Sequence, residues 1–316
     1  MIPSLPTKDD LLHCNQRISS LVHQTPILTS SAINELTGVE LFFKCENFQK
    51  MGAFKMRGAT NAILNLSEAQ REKGVVTHSS GNFAQAVSLA AKNLGVKASI
   101  VMPSNAPQVK KDAVLGYGGV ITISEPTIEA REFAAKTIVE KTGATFLHPS
   151  NDIDVIIGNS TAAIELFEMH DDLDYIVSPI GGGGLIAGTA LAAYHFSDHC
   201  KTVGAEPAEA DDAYRSFKSG TIERNEQTNT IADGLRTHLG SHNFPIIQTL
   251  VEDVILVEEN EIINALQLVW ERLKIVIEPS SAVALASIFK EPNRFSEKKV
   301  GIIFSGGNVD LTNLPF

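Results

Sequence analysis

The sequence predicts an α/β fold of parallel twisted sheets flanked by helices, on two observations. Short β-branched runs alternate with Ala-rich amphipathic stretches from residue 75 onward, and the turns after several of those runs are made of Gly, Ser and Asn. Alternation of this kind gives right-handed β-α-β units with helices on both faces of a parallel sheet. Ligands of such sheets bind at the carboxyl ends of strands, in the turns that lead into helices.

The elements follow in order. Residues 75–79 read as a strand and 83–94 as a helix closed by Gly95. The stretch 98–102 is the next strand and 108–115 the next helix; 120–124 precedes a helix over 128–141, which Gly143 stops. Further on, 175–180 is a strand leading into four glycines and a helix from about Leu185. Strands over 203–206, 254–257 and 300–304 complete the pattern.

Composition excludes several function classes. The chain of 316 residues has a net charge of −11 without a basic run. Nucleic-acid affinity comes from Lys and Arg neutralising phosphate, so no nucleic-acid partner is expected, nor a membrane-surface helix with a basic face. Cys14, Cys45 and Cys200 are too few and too far apart for a disulfide framework or a CxxC metal site, which suits a reducing compartment. Residues 1–17 lack a basic region followed by an apolar stretch, and no apolar run approaches the roughly 20 residues that span a bilayer. A cytoplasmic protein is the expectation.

Five segments carry chemical signals. Ser79-Ser80-Gly81-Asn82 opens an Ala-rich helix, where backbone N–H groups and the helix dipole attract an anion; its Ser and Asn would equally serve as helix caps. Gly181-Gly182-Gly183-Gly184 follows a strand directly. Four glycines are entropically costly unless the backbone must approach something closely, and a phosphate held by amides at a helix start explains them. The run matches neither GxGxxG nor GxxxxGK[ST], which opposes a nicotinamide oxidoreductase or a nucleoside triphosphatase. Ser305-Gly306-Gly307-Asn308 is a third small-residue turn after a strand. Lys55 stands between Phe54 and Met56 at a helix start, where desolvation would lower its pKa and free a nucleophilic amine; a surface lysine lying along Phe54 would look the same. Glu206, Glu209, Asp211 and Asp212 crowd one loop, which suits a hard cation or a solvated turn with Asp211 capping the next helix. Together, an amine nucleophile, a phosphate cradle and an anion-binding turn describe a phosphorylated aldehyde cofactor working on an amino acid, and pyridoxal 5′-phosphate is held by a lysine in this way.

The motifs GAFKMRGA, THSSGNFAQA, GGGGLIAG, AEPAEADD, EPSSA and FSGGNVD, in this order from about Thr25 to Asp310, closely resemble fold-type II pyridoxal-phosphate enzymes of the serine racemase and serine/threonine dehydratase branch. That resemblance implies a two-lobed fold like the tryptophan synthase β subunit, with a large cofactor domain over 1–73 and 144–316 and a small mobile domain over 74–143 inserted in it. It further implies that Lys55 holds the cofactor and then acts as base on one face of Cα, while the Ser80 hydroxyl serves as acid/base on the other. Phe54 would flank the ring, Asn82 would bond the phenolic oxygen, and Gly181, Gly182, Gly183 and Gly184 would hold the phosphate. Gly234 would lie near the ring, and Ser305 would meet the pyridine nitrogen. Ser79, Ser80, Gly81 and Asn82 would take the substrate carboxylate. Glu206, the carbonyl of Ala210 and Asp212 match a divalent-cation site for Mg²⁺ or Ca²⁺. A homodimer is implied as well.

The activity so implied is α,β-elimination of L-serine or L-threonine to a keto acid and ammonia, with racemisation as a second outcome. The sequence departs from the pattern at Phe83, where relatives mostly carry His, and Met51 and Ala53 replace a common Thr-Gly-Ser lead. Phe83 would line a drier substrate site. Arg131 matches an arginine at the distal end of the substrate, which keeps 3-hydroxyaspartate open, or pairs with Glu129 or Glu132 on its own helix. A protein that binds the cofactor without turnover is the competing reading from another class.

Overall fold

Ten strands among residues 5–316, the span that the computed structural model describes, form two sheets. The first four residues of the segment searched for a leader lie outside it. In chain order the strands are β1 (Ile27–Leu28), β2 (Glu40–Cys45), β3 (Val75–His78), β4 (Ala98–Pro103), β5 (Val120–Ser124), β6 (Thr145–Phe146), β7 (Tyr175–Pro179), β8 (Lys201–Pro207), β9 (Val251–Val257) and β10 (Lys299–Phe304). The larger sheet has the order β1-β2-β10-β7-β8-β9 and the smaller β5-β4-β3-β6. Every pairing is parallel except that of β1 with β2. The fold is therefore α/β with parallel sheets flanked by helices, as the alternation predicts.

Where element ends move, solvated charge is the reason. The strand expected over 254–257 begins at Val251, because Glu252 and Asp253 sit on its outer side and Asp253 pairs with Lys218 and Arg294. Three strands carry no recognisable pattern. The first two are β1 and β6, at two residues each; β2 reads Glu-Leu-Phe-Phe-Lys-Cys, whose lysine looks like a surface residue. Lys44 is instead fully buried and donates to Glu165 Oε2 at 2.5 Å. The helices Ile153–Phe167 and Pro279–Lys290 are equally illegible, since both are buried almost all round and lack an amphipathic period.

One buried ionic cluster anchors the helix that starts at Lys55. Arg57, fully buried, donates from Nε to Glu46 Oε2 at 2.7 Å and from Nη1 to Glu165 Oε1 at 2.6 Å. Lys44 shares Glu165, and Thr25 donates to Glu46 at 2.5 Å, so two cations face two anions with their hydrogen bonds filled. Such compensation is what makes buried charge tolerable. Helix Lys55–Asn65 is thereby tied to β2 and to helix Ile153–Phe167. The apolar core lies on both faces of the larger sheet, with a separate cluster under the smaller one.

Candidate active site

The turn before Lys55 is shaped by close approach to the end of β10. Gly52 has φ 77°, and a Cβ there would lie 2.7 Å from Asn308 Oδ1. Ala53 bridges Gly306, and the Phe54 N–H donates to the Ser305 carbonyl at 2.9 Å. These contacts place Lys55, half-buried, at the first position of its helix. Its Nζ donates to the Pro149 carbonyl at 2.8 Å and lies 4.8 Å from the centre of the Phe54 ring and 5.7 Å from that of Phe83. Burial pulls the Lys55 pKa down to about 8, against the opposing pull of Glu278. A neutral amine is thus within reach at mildly alkaline pH.

Pro149 is aimed by its neighbours. His148 accepts from the N–H groups of Ser150 and Asn151 at Nδ1, at 3.2 and 2.9 Å, and burial pushes its pKa down to about 4, so it stays neutral. Asn243, fully buried, donates to the carbonyls of both Ser150 and Gly182 at 2.8 and 2.7 Å. That one amide joins the turn holding Lys55 to the glycine run.

All four glycines of the run are sterically required. A Cβ on Gly181 would meet Leu235 Cα at 2.7 Å, on Gly182 Ser150 Oγ at 2.4 Å, on Gly183 Leu239 Cδ2 at 2.6 Å and on Gly184 Ser150 Cα at 2.9 Å. Gly183 also has φ 80°. Helix Gly184–Phe196 begins here without a side-chain cap, so its first N–H groups are free for an anion.

The 79–82 turn behaves alike. Helix Asn82–Asn93 has Gly81 at its N-cap and no side-chain cap, so its Ser and Asn are not spent on capping. Ser79, Ser80, Gly81 and Asn82 are all half-buried. Asn82 Nδ2 donates to both oxygens of Glu278, at 3.0 and 3.1 Å, and its Oδ1 accepts from Asn308 at 2.9 Å. Phe83 is 2 % exposed and packs in the core under the smaller sheet, with its ring near Lys55.

Glu278 is the site residue the sequence reading passed over. A glutamate before Pro-Ser-Ser looks like a helix cap, yet its side chain makes no cap bond. Its carboxylate accepts from Asn82 and from the Asn308 N–H at 3.2 Å, and burial pushes its pKa up to about 7. The nearby Ser305 lies 3.0 Å, oxygen to oxygen, from Ser281, and the Gly234 N–H donates to Ser280 at 3.1 Å.

Two expected groups stand apart. Arg131, half-buried on helix Ile128–Thr142, donates from Nε to the Thr127 carbonyl at 3.3 Å and forms no ion pair with Glu129 or Glu132; burial first, and then the Arg131 charge, lower the pKa of His78, next to the 79–82 turn. In the acidic loop, both oxygens of Glu206 accept N–H bonds, from Ala213 at 2.9 Å and Tyr214 at 2.7 Å. Asp211 pairs with Arg215 instead of capping. Asp212 accepts from Asn225 at Oδ1, while its Oδ2 is buried without a partner. Among the described residues no three His, Cys, Asp or Glu side chains gather as a metal site.

Known proteins are similar to this chain over nearly all of its length. The family described as pyridoxal-phosphate dependent enzyme matches residues 18–306. A β-hydroxyaspartate dehydratase of Paracoccus denitrificans is 49 % identical over 99 % of this chain and 99 % of its own length. A serine racemase of Dictyostelium discoideum is 51 % identical over 98 % of this chain and 96 % of its own. The crystal structure of a T.th. threonine deaminase superposes with a TM-score of 0.93 at 38 % identity, covering 98 % of this chain and all of that one.

The residues present fit pyridoxal phosphate. A cradle with no room for any Cβ offers only amides to a phosphate, and Lys55 is a desolvated amine suited to an aldehyde. Gly182→Ala should therefore weaken cofactor affinity by about tenfold or more, because its Cβ would push on Ser150. A fluorescence titration of the apoprotein measures this, and unchanged affinity would make the run an ordinary turn.

Proposed function

Because the chain belongs to the pyridoxal-phosphate dependent enzyme family, we propose that it is an ammonia-lyase removing water and then ammonia from a β-hydroxy amino acid, L-serine or L-threonine, with racemisation as a second outcome. The observation that carries this reading is the Lys55 amine, lowered to about 8 and placed near an uncapped helix start. Pyridoxal phosphate, when bound, would hold the substrate amino group and draw off the electron pair left at Cα. The chain's own residues would do the rest. Backbone N–H groups at 79–82 would orient the substrate carboxylate. Lys55 would take the α-proton and return it to the β-hydroxyl, which would leave as water; a water molecule would then hydrolyse the released unsaturated amine to the keto acid and ammonia. Ser80 would return or remove a proton on the opposite face. Phe54 and Phe83, both buried, would keep water from the amine. Segment 74–143 would close over the substrate.

A second substrate is favoured by Arg131, whose guanidinium has no acidic partner among the described residues and whose field reaches His78. A distal carboxylate, as in 3-hydroxyaspartate, would pair with it. A panel of L- and D-serine, L-threonine and the hydroxyaspartate isomers, scored for keto acid and for enantiomer, decides between them. Keto acid from none of these would sink the lyase reading.

We also assign a divalent cation to Glu206, the Ala210 carbonyl and Asp212. Asp212 Oδ2, orphaned among the described residues, supports it, and burial raises both carboxyl groups, helped by Asp212 acting on Glu206 and by Asp211 acting on Asp212, the latter raised to about 7. A carboxyl raised on folding costs stability as pH rises from its unfolded value through about 7. The metal-free protein should lose stability over that window, and saturating Mg²⁺ should restore about 5 °C of melting temperature. No response to chelator or Mg²⁺ returns these residues to an ordinary turn.

A further inference from the structure

We propose that Asn243 is a positioning residue that aims the amides of the glycine run at the cofactor phosphate and sets that seat against the Lys55 amine. It stands just before helix Phe244–Leu250, where an asparagine reads as a helix cap, yet its side chain makes no cap bond. The amide is spent elsewhere. Its Oδ1 accepts the Gly240 N–H at 3.0 Å, which leaves the amino group for other acceptors. That amino group donates to the carbonyls of Gly182 at 2.7 Å and Ser150 at 2.8 Å, and the residue is fully buried.

Across a trans peptide, the carbonyl of one residue and the N–H of the next point in opposite directions. Holding the Gly182 carbonyl on Asn243 therefore turns the Gly183 N–H away from it. Asn159, fully buried on helix Ile153–Phe167, does the same for the Leu185 N–H by donating to the Gly184 carbonyl at 3.2 Å. The outcome is a row of buried residues from Gly181 to Ile186 whose N–H groups donate to no acceptor among the described residues. Unpaired buried N–H groups are rare, and an anion would satisfy these.

The second bond of Asn243 fixes the other end. Ser150 follows Pro149, whose carbonyl accepts from Lys55 Nζ, and His148 Nδ1 takes the N–H groups of Ser150 and Asn151. The loop that carries Asn243 is itself pressed onto this turn. A Cβ on Gly240 would lie 2.1 Å from Asn151 Cγ, and the His242 N–H donates to Asn151 Oδ1 at 2.7 Å. One side chain thus ties an amine suited to an aldehyde to amides suited to a phosphate, the two ends of one cofactor.

This inference deepens the proposed function and rests on the glycine run being the phosphate seat. The test compares the full-length wild type with Asn243→Leu, which keeps roughly the volume and removes both donated bonds, with melting temperature as the control for folding. In fluorescence titrations of the apoproteins, affinity for pyridoxal 5′-phosphate should fall about tenfold. Affinity for pyridoxal, which lacks the phosphate, should change by about twofold or less. A merely structural role would weaken both alike, so equal losses, or an unchanged affinity for the phosphorylated aldehyde, overturn the proposal. If Asn243→Leu does not fold, Asn243→Ser, too short to reach both carbonyls, decides by the same ratio. Inorganic phosphate separates the two readings, because it needs no aldehyde chemistry. It should raise the melting temperature of the wild-type apoprotein by about 3 °C and that of the variant by less. Equal responses of the two proteins remove the role of Asn243. If the responses differ but borohydride fixes no cofactor on Lys55, the proposed function fails and the role of Asn243 in seating phosphate stands.

Discussion

Lys55→Ala should reduce keto-acid release from every amino acid tested by about 10⁴-fold or more, since one side chain supplies both the covalent hold on the cofactor and the base at Cα. The fold should survive, because among the described residues Lys55 makes one hydrogen bond, to the Pro149 carbonyl, and no ion pair. A melting temperature within about 3 °C of wild type is expected. The sign of the pH dependence follows from burial. The amine's pKa falls from 10.5 to about 8 in the folded chain, so reactive free amine grows as pH rises towards and through 8. Steady-state keto-acid assays and the pH profile of apoprotein reconstitution measure both effects. Retained turnover in Lys55→Ala would falsify the assignment of Lys55.

The second large effect is selective. Ser80→Ala should cut the appearance of D-serine from L-serine by about 10²-fold or more while changing keto-acid release from the L-substrate far less. Removing one enantiomer's proton needs only the Lys55 face, whereas inversion needs an acid/base on both. The hydroxyl belongs to a half-buried turn that caps nothing, so truncating it leaves helix Asn82–Asn93 intact. Chiral chromatography alongside a keto-acid assay reads both rates from one reaction. Equal losses in the two rates would take Ser80 out of its role.

Much of the site was legible because each contributing turn follows a strand in sequence. The 181–184 and 305–308 turns follow β7 and β10, neighbours in the larger parallel sheet, which gathers its strand ends on one side, whereas the 79–82 turn follows β3 of the smaller sheet and meets the 305–308 turn through Asn82 and Asn308. Glu278 was not legible, because a glutamate before proline at a helix start resembles a cap, and only its burial against Asn82 and Asn308 says otherwise. Asn243 and His148 gave no local signal either; each works by holding a backbone carbonyl or N–H from another segment. Lys44 gave no signal of its burial either, since its compensation by Glu165 lies 121 positions away.

By itself, then, the sequence determined the fold class and singled out the glycine run, the 79–82 turn and Lys55 as candidates for the site. Those features rest on local chemistry: hydrophobic period, missing Cβ atoms and helix starts. The tertiary structure alone decided which groups act on that amine. Beyond its chain neighbour Phe54, the ring of Phe83, the acceptor at Pro149 and the pull of Glu278 all come from segments far apart in the chain, and a pKa depends on every neighbour in space, not only on those in sequence.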